Sequence, residues 1–162
     1  MIRCELYSPR CDWEVTVFFS INEYWVDEIL EKLWEIGIDA KHAQKAFENL
    51  SSGKLDSGLC FSNYAKHKSV IVVGQASSAS ELFNSTMHEF KHLSSHMAKA
   101  CGLEETGEVI AYATGELAHD MWPYIKHLMC DCCRRKIFDE RTHGEDSGFG
   151  VGREGSLTPY YE

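Results

Sequence analysis

The feature that most constrains the fold is the segment of residues 78–102, which carries the signals of both ends of one helix. Ser78 and Glu81 form the S-x-x-E pattern of a capping box, which predicts that a helix begins near Ala79. Gly102 is typical of the position just past a helix C-terminus and predicts where the helix ends. The side chains of this segment can therefore be assigned to helix faces by their spacing.

The predicted helix carries an H-E-x-x-H motif in His88-Glu89-Phe90-Lys91-His92. Four residues of α-helix turn the chain by about 400°, so two imidazoles at this spacing lie on one face, one turn apart. Placed in this way they can bind the same Zn²⁺. Glu89 points to the side of the metal, where it can take a proton from the attacking water. The motif predicts His88 and His92 as metal ligands and Glu89 as the general base.

A catalytic zinc site generally has three protein ligands and one open position, so another side chain must complete this one. We consider His96, Glu104, Glu105, Glu108, Glu116, His119 and His127. His96 continues the histidine spacing, but it lies about 12 Å from His88 along the axis. One ion cannot bridge all three histidines of a straight helix, so His96 is more consistent with a polar residue near the site.

The distance along the returning chain selects among the glutamates. His92 lies about 15 Å before the turn that follows the helix, and the chain must return over a similar distance. Glu104 and Glu105 are too close to that turn, whereas Glu116 overshoots. Glu108 can be carried far enough by a partly extended connection, at about 3.3 Å per residue. We therefore predict Glu108 as the third ligand.

Strand and helix patterns precede the motif. Residues 13–21, WEVTVFFSI, are rich in β-branched and aromatic side chains and predict a strand. An amphipathic helix follows, with Asn22 as its cap and Gly37 as its end. Residues 39–56 give no clear pattern and end in a loop-like stretch. The segments 58–64 and 68–74 predict a β-hairpin.

Helical patterns also follow the motif. A second helix is expected from about residue 106, with one packing face of Val109, Ala113, Leu117 and Met121. Pro123 kinks this helix or begins another one. The patterns together predict one α+β domain over residues 1–138, with a small antiparallel or mixed sheet packed on the active-site helix and further helices. Residues 139–162 are expected to form a flexible or loosely docked tail.

Composition excludes several classes of function. The 162 residues are 44% hydrophobic, enough for one buried core, and the net charge of −9 argues against nucleic-acid binding. We see neither a signal peptide nor a membrane span, so we expect a soluble cytoplasmic protein with no membrane partner. The odd number of cysteines, seven, favours reduced thiols. Cys130, Cys132 and Cys133 lack zinc-knuckle spacing and are interpreted as free thiols, although their role stays open.

The motif and its surroundings resemble a known family. HEFKH followed after fifteen residues by EVIAYATGEL is similar to the gluzincin branch of the zincin metallopeptidases. The small size and the E-x-x-A-Y sequence resemble compact bacterial and phage proteins of the ImmA/IrrE type. This resemblance covers about residues 58–120 and implies a minimal zincin-like fold with His88, His92 and Glu108 as zinc ligands. It also implies that the strand Ser69–Val73 pairs with an extended substrate.

The expected activity is zinc-dependent hydrolysis of peptide bonds in a peptide or protein substrate. Tyr112, one turn beyond Glu108, is a candidate for stabilising the oxyanion, with His96 and His119 as alternatives. A second hypothesis is a regulatory or binding protein on a zincin scaffold, with structural zinc and little turnover. A third is a helical interaction domain without metal. Substrate specificity and oligomeric state stay open at this point.

Overall fold

The computed structural model of the protein describes residues 1–21, 25–52 and 58–130. In chain order these residues form β1 (Ile2–Ser8), β2 (Trp13–Ile21), α1 (Val26–Ile36), α2 (Ala40–Ser51), β3 (Leu59–Asn63), β4 (Lys68–Gly74), α3 (Ala79–Cys101) and α4 (Glu108–Ile125). The predicted α+β class is confirmed. The predicted tail, the domain limit at residue 138 and the cysteines 132 and 133 lie outside the described residues. Among the described helices, none is both long and apolar enough to cross a membrane.

The sheet has four strands in the order β1-β2-β4-β3. β2 and β4 are parallel, whereas β1 pairs antiparallel with β2 and β3 pairs antiparallel with β4. The sheet is therefore mixed, as the sequence predicted, and β1 and β3 are its two edges. The predicted hairpin is confirmed as β3 and β4.

The expectation that Ser69–Val73 pairs with an extended substrate is wrong. These residues belong to β4, which is hydrogen-bonded to β2 on one side and to β3 on the other. A strand with both neighbours in place has no free row of backbone N–H and C=O groups to offer a further strand. Among the described strands, β3 is the one with an unpaired edge on this side of the sheet.

Helices cover both faces of the sheet. The alternation of side chains along β4 shows which helices pack on which face. Ile71 and Val73 pack in a core with α3 and α4, whereas Val70 and Val72 pack in a second core with α1 and α2. Successive side chains of a strand point to opposite faces, so an uninterrupted apolar run is what a doubly covered strand requires. The motif helix α3 thus lies on one face, directly over β3 and β4.

The ends of α3 are those that the sequence predicts. The Ser78 hydroxyl accepts a hydrogen bond from the backbone N–H of Glu81 at 3.1 Å. The Glu81 carboxylate accepts in return from the backbone N–H of Ser77 at 2.6 Å, one residue earlier than a standard capping box. Gly102 ends the helix in the left-handed conformation at φ 64°. Because both ends of the helix are fixed, helical periodicity assigns each motif side chain to a face of α3.

Other sequence predictions are corrected in detail. Val109 is 46% exposed, and Ile110 takes its place in the buried face with Ala113, Leu117 and Met121. α4 continues through Pro123 to Ile125, so the proline does not begin another helix. The strand β1 and the helix α2 were not predicted. Gly37 ends α1 in the left-handed conformation, as expected, whereas Asn22 lies outside the described residues.

Candidate metal centre

His88 and His92 lie on the exposed side of α3 with their Nε2 atoms 3.1 Å apart. The two rings meet edge to face, with centroids 4.8 Å apart. With Zn–N bonds of about 2.0–2.1 Å, two ligands of a tetrahedral ion have nitrogens about 3.3 Å apart. Without a metal, one imidazole of the pair can donate its N–H to the other. The donor type and the spacing of this pair fit two ligands of one zinc ion.

Glu89 has a different environment from the two histidines beside it. Its side chain is only 3% exposed, because α3 presses it against the start of β3. Burial raises the pKa of Glu89, and His88 and His92 oppose this shift by their charge. A buried carboxylate next to two imidazoles is a stronger base than a solvated one, which suits proton transfer.

Gly58 provides the space that Glu89 occupies. A Cβ at residue 58 would lie 2.5 Å from the backbone oxygen of Val72 and 2.9 Å from the Cγ of Glu89. The oxygen belongs to the doubly paired strand β4 and cannot move away. The absence of a side chain at Gly58 is therefore required for Glu89 to lie against the sheet.

We expect Gly58→Ala to destabilise the fold by about 1–3 kcal/mol, the usual cost of overpacking, and to displace Glu89. Gly115→Ala is the matched control, since a Cβ there meets nothing within 4 Å. Because Gly115 lies inside α4, alanine should stabilise this position by roughly 0.5–1 kcal/mol. Denaturant unfolding of both variants measures the difference, and equal stabilities would contradict the close approach.

His96 is bonded to the sheet rather than to the other histidines. Its Nδ1 lies 2.9 Å from the Ser62 hydroxyl of β3. Ser62 in turn lies 2.6 Å from the Ser69 hydroxyl of β4, which accepts a 2.8 Å hydrogen bond from the indole N–H of Trp13. We call Trp13, Ser69 and Ser62 the hydrogen-bond chain. Burial lowers the pKa of His96, and the charges of His92 and Lys99 lower it further, which favours the neutral form of the ring.

Cys60 is the other β3 residue beside His96, with its sulfur 3.8 Å from Nδ1. Burial raises the pKa of the Cys60 thiol to about 12, with Glu89 adding to the shift and the Ser62 hydrogen bond opposing it. The thiol is therefore protonated at neutral pH. A protonated thiol is a poor metal ligand and a poor nucleophile, so Cys60 lacks the properties of a reactive cysteine.

The predicted third ligand is not in contact with the histidine pair. Glu108 is the first residue of α4 and is exposed. Over residues 1–21, 25–52 and 58–130, no group of three or more His, Cys, Asp or Glu side chains is placed to hold one metal ion. The structure thus brings together His88 and His92 but does not add Glu108 to them.

Two other glutamates have partners of their own. Glu105 accepts a hydrogen bond of 3.2 Å from Ser95 and lies 3.8 Å from Lys99. Glu116 forms a two-pronged salt bridge with Arg10. The side chain of Glu108, in contrast, forms no hydrogen bond or ion pair with any described residue. It remains the glutamate of α4's first turn with an uncommitted carboxylate.

The candidate oxyanion donors of α4 face solvent. Tyr112 is 59% exposed, and its ring lies 5.3 Å below the guanidinium of Arg10 near the β1–β2 turn. The side chain of His119 is 88% exposed and lies 3.2 Å from Asp120. His96, the third candidate, lies next to the histidine pair, with its ring centroid 6.4 Å from that of His92.

Sequence reasoning missed the parts that Gly58 and Ser62 play in the site. Gly58, directly before β3, and Cys60 and Ser62 within it occupy alternate positions that face α3, and Ser62 pairs with Ser69 across the hairpin. The signal was present, because small and polar residues occupy every second position of a segment already predicted to be a strand. What the sequence lacked was the knowledge that this face meets the histidines.

Comparison with models of protein families, with curated proteins and with solved structures finds no match to this chain.

Proposed function

We propose that the protein is a zinc-dependent peptidase that uses His88 and His92 as metal ligands and Glu89 as general base. Glu108 is proposed as the third ligand. The observation that supports this best is the arrangement on α3, where two imidazole nitrogens lie 3.1 Å apart beside a buried carboxylate of raised pKa. Two of the three proposed ligands and the base needed for hydrolysis are therefore next to each other on a rigid element.

Each of the three motif side chains has a distinct task. A zinc ion held by the histidines would polarise the scissile carbonyl and make the attacking water more acidic. Glu89 takes the proton of that water on its carboxylate and afterwards gives it to the leaving amine. Its burial against β3 holds the carboxylate in one place, which reduces the loss of freedom on reaching the transition state.

The unpaired edge of β3 supports a polypeptide substrate. An extended chain added there would form main-chain hydrogen bonds and alternate its side chains between the two faces of the sheet. One set would face the histidines on α3. The other would face a groove of about 220 Å³ between α2 and β3, lined by His42, Lys45 and Phe61 among others. A cleft of about 360 Å³ between α3 and α4 includes none of the three motif residues in its lining.

Replacing Glu108 tests the ligand set. Glu108→Ala should weaken zinc binding by more than the roughly 10–100-fold that the loss of an outer partner costs, since a direct ligand is removed. Titration of the metal-free protein with zinc and a competing chelator measures the affinity.

Glu116→Ala is the matched control, because this glutamate lies on the same helix but is bound by Arg10. It should leave zinc affinity unchanged. Equal zinc affinities for Glu108→Ala and the wild type would remove Glu108 from the site and leave the proposal without its third ligand.

A further inference from the structure

The two ring nitrogens of His96 have different surroundings. Nδ1 faces β3, where the Ser62 hydroxyl lies at 2.9 Å and the Cys60 sulfur at 3.8 Å. Nε2, on the far side of the ring, has no hydrogen-bond partner within the described part of the chain. Which nitrogen carries the proton decides whether His96 can offer a hydrogen bond or a lone pair at that free position.

The hydrogen-bond chain answers this question, because one of its members can only donate. The indole N–H of Trp13 has no acceptor capacity, so Ser69 must accept from it. The remaining protons can then be arranged in three ways. In the first, Ser69 donates to Ser62 and Ser62 donates to Nδ1 of His96. In the second, Nδ1–H donates to Ser62 and Ser62 donates to Ser69. In the third, Ser62 accepts from both Ser69 and Nδ1–H and donates to the sulfur of Cys60.

Only the first arrangement gives every proton a good acceptor. In the second, Ser69 accepts twice and its own hydroxyl proton has no acceptor, since Ser62 is the one other described side chain bonded to it. Ser69 is 1% exposed, so water cannot take that proton, and an unpaired buried donor is unfavourable. In the third, Ser62 gives its proton to a thiol sulfur, a weak acceptor, instead of to an imidazole nitrogen 2.9 Å away. The protonated Cys60 thiol, a weak donor facing Nδ1, would then meet an N–H. In the first arrangement, both neighbours of Nδ1 are donors.

We infer that Trp13, Ser69 and Ser62 fix His96 as its Nε2–H tautomer, making it the hydrogen-bond donor of the site toward a carbonyl oxygen of a polypeptide bound beside β3. This use of the donor rests on the proposed peptidase function, whereas the tautomer itself does not. Because its free nitrogen carries a proton, His96 differs from His88 and His92 and is not a metal ligand. Trp13, Ser69 and Ser62 are positioning residues that act through it.

The tautomer can be measured on the full-length protein labelled with ¹⁵N-histidine. Long-range ¹H–¹⁵N correlation spectra distinguish a protonated nitrogen from a bare one, and loss of the signals in His96→Gln assigns them. At neutral pH we expect a protonated Nε2 and a bare Nδ1. Ser62→Ala should produce a mixture of tautomers. Ser95→Ala, a matched control one residue from His96 but bonded to Glu105, should leave the spectrum unchanged.

Three outcomes would overturn the inference. One is a His96 ring that carries its proton on Nδ1, and another is a spectrum that does not respond to Ser62→Ala. The third is loss of zinc in His96→Gln, which would make His96 a ligand after all. None of these readouts needs turnover. If the wild-type protein binds zinc but cleaves no peptide, the proposed peptidase function is wrong. The tautomer of His96 would still be decided by the spectra.

A kinetic comparison tests the donor role in an active protein. His96→Leu removes the donor and should lower kcat/KM by about 10²-fold, as removal of one oxyanion donor does. His96→Gln places an amide N–H near the position of Nε2–H and should recover part of that loss. Equal rates in His96→Leu and the wild type would exclude contact with the reacting carbonyl.

Discussion

Replacing Glu89 with glutamine is expected to abolish peptide hydrolysis while leaving the zinc content unchanged. Glutamine has nearly the same shape, so it fits the space that Gly58 leaves against β3. It cannot accept a proton, and general-base catalysis contributes roughly 10²–10⁴-fold to rates. We therefore expect kcat to fall by at least about 10²-fold. Cleavage of a library of fluorescence-quenched peptides by the zinc-loaded protein measures this change.

The control for this experiment is the zinc stoichiometry of the same variant. Glu89→Gln should retain about one zinc per chain, because Glu89 is not a ligand. Cleavage that survives the substitution would show that another group is the base. Retained zinc with no cleavage in the wild type itself would instead favour a binding protein with structural zinc over a peptidase.

The second large effect is expected from the histidine pair. His92→Ala removes one of two nitrogens 3.1 Å apart and should eliminate stoichiometric zinc binding. The loss of zinc binding can also be measured as a loss of thermal stabilisation. A ligand at about 100 times its Kd stabilises the folded state by roughly 2.7 kcal/mol. Zinc should raise the melting temperature of the wild type and leave that of His92→Ala unchanged.

Because His92 is exposed, the substitution itself should cost little fold stability. His119→Ala is the matched control, because this exposed histidine of α4 is not among the proposed zinc ligands. It should keep both the zinc and the shift in melting temperature. A similar loss in His119→Ala would show that zinc binds the surface rather than the motif.

The parts of the fold that the sequence predicts well are those fixed by local contacts. The limits of α3 follow from Ser78 and Gly102, because capping and left-handed geometry involve only neighbouring residues. The strand β1 was missed although exposed Arg3, Glu5 and Tyr7 alternate with its buried positions, which is a local signal of a half-buried strand. The helix α2 buries only two alanines and one leucine, a weak periodic signal.

In the candidate site, too, the positions fixed by local contacts could be predicted and those fixed by distant contacts could not. The positions of His88, Glu89 and His92 follow from helical periodicity, so their relative placement could be predicted from the motif. The roles of Gly58 and Ser62 could not, because they depend on which face of β3 meets α3. The strand order is also nonlocal, which is why Ser69–Val73 was assigned to substrate pairing although β4 lies inside the sheet.

The parallel pairing of β2 with β4 has a consequence for the order of folding. It joins distant parts of the chain, as the bond between Trp13 and Ser69, 56 residues apart, illustrates. Closing so long a loop is slow compared with forming one helix. His88 and His92 lie within one turn of α3, whereas the burial of Glu89 and the bond from His96 to Ser62 need the assembled sheet. Under the proposed function, the general base and the neighbouring donor would therefore reach their positions only after β2 and β4 have paired.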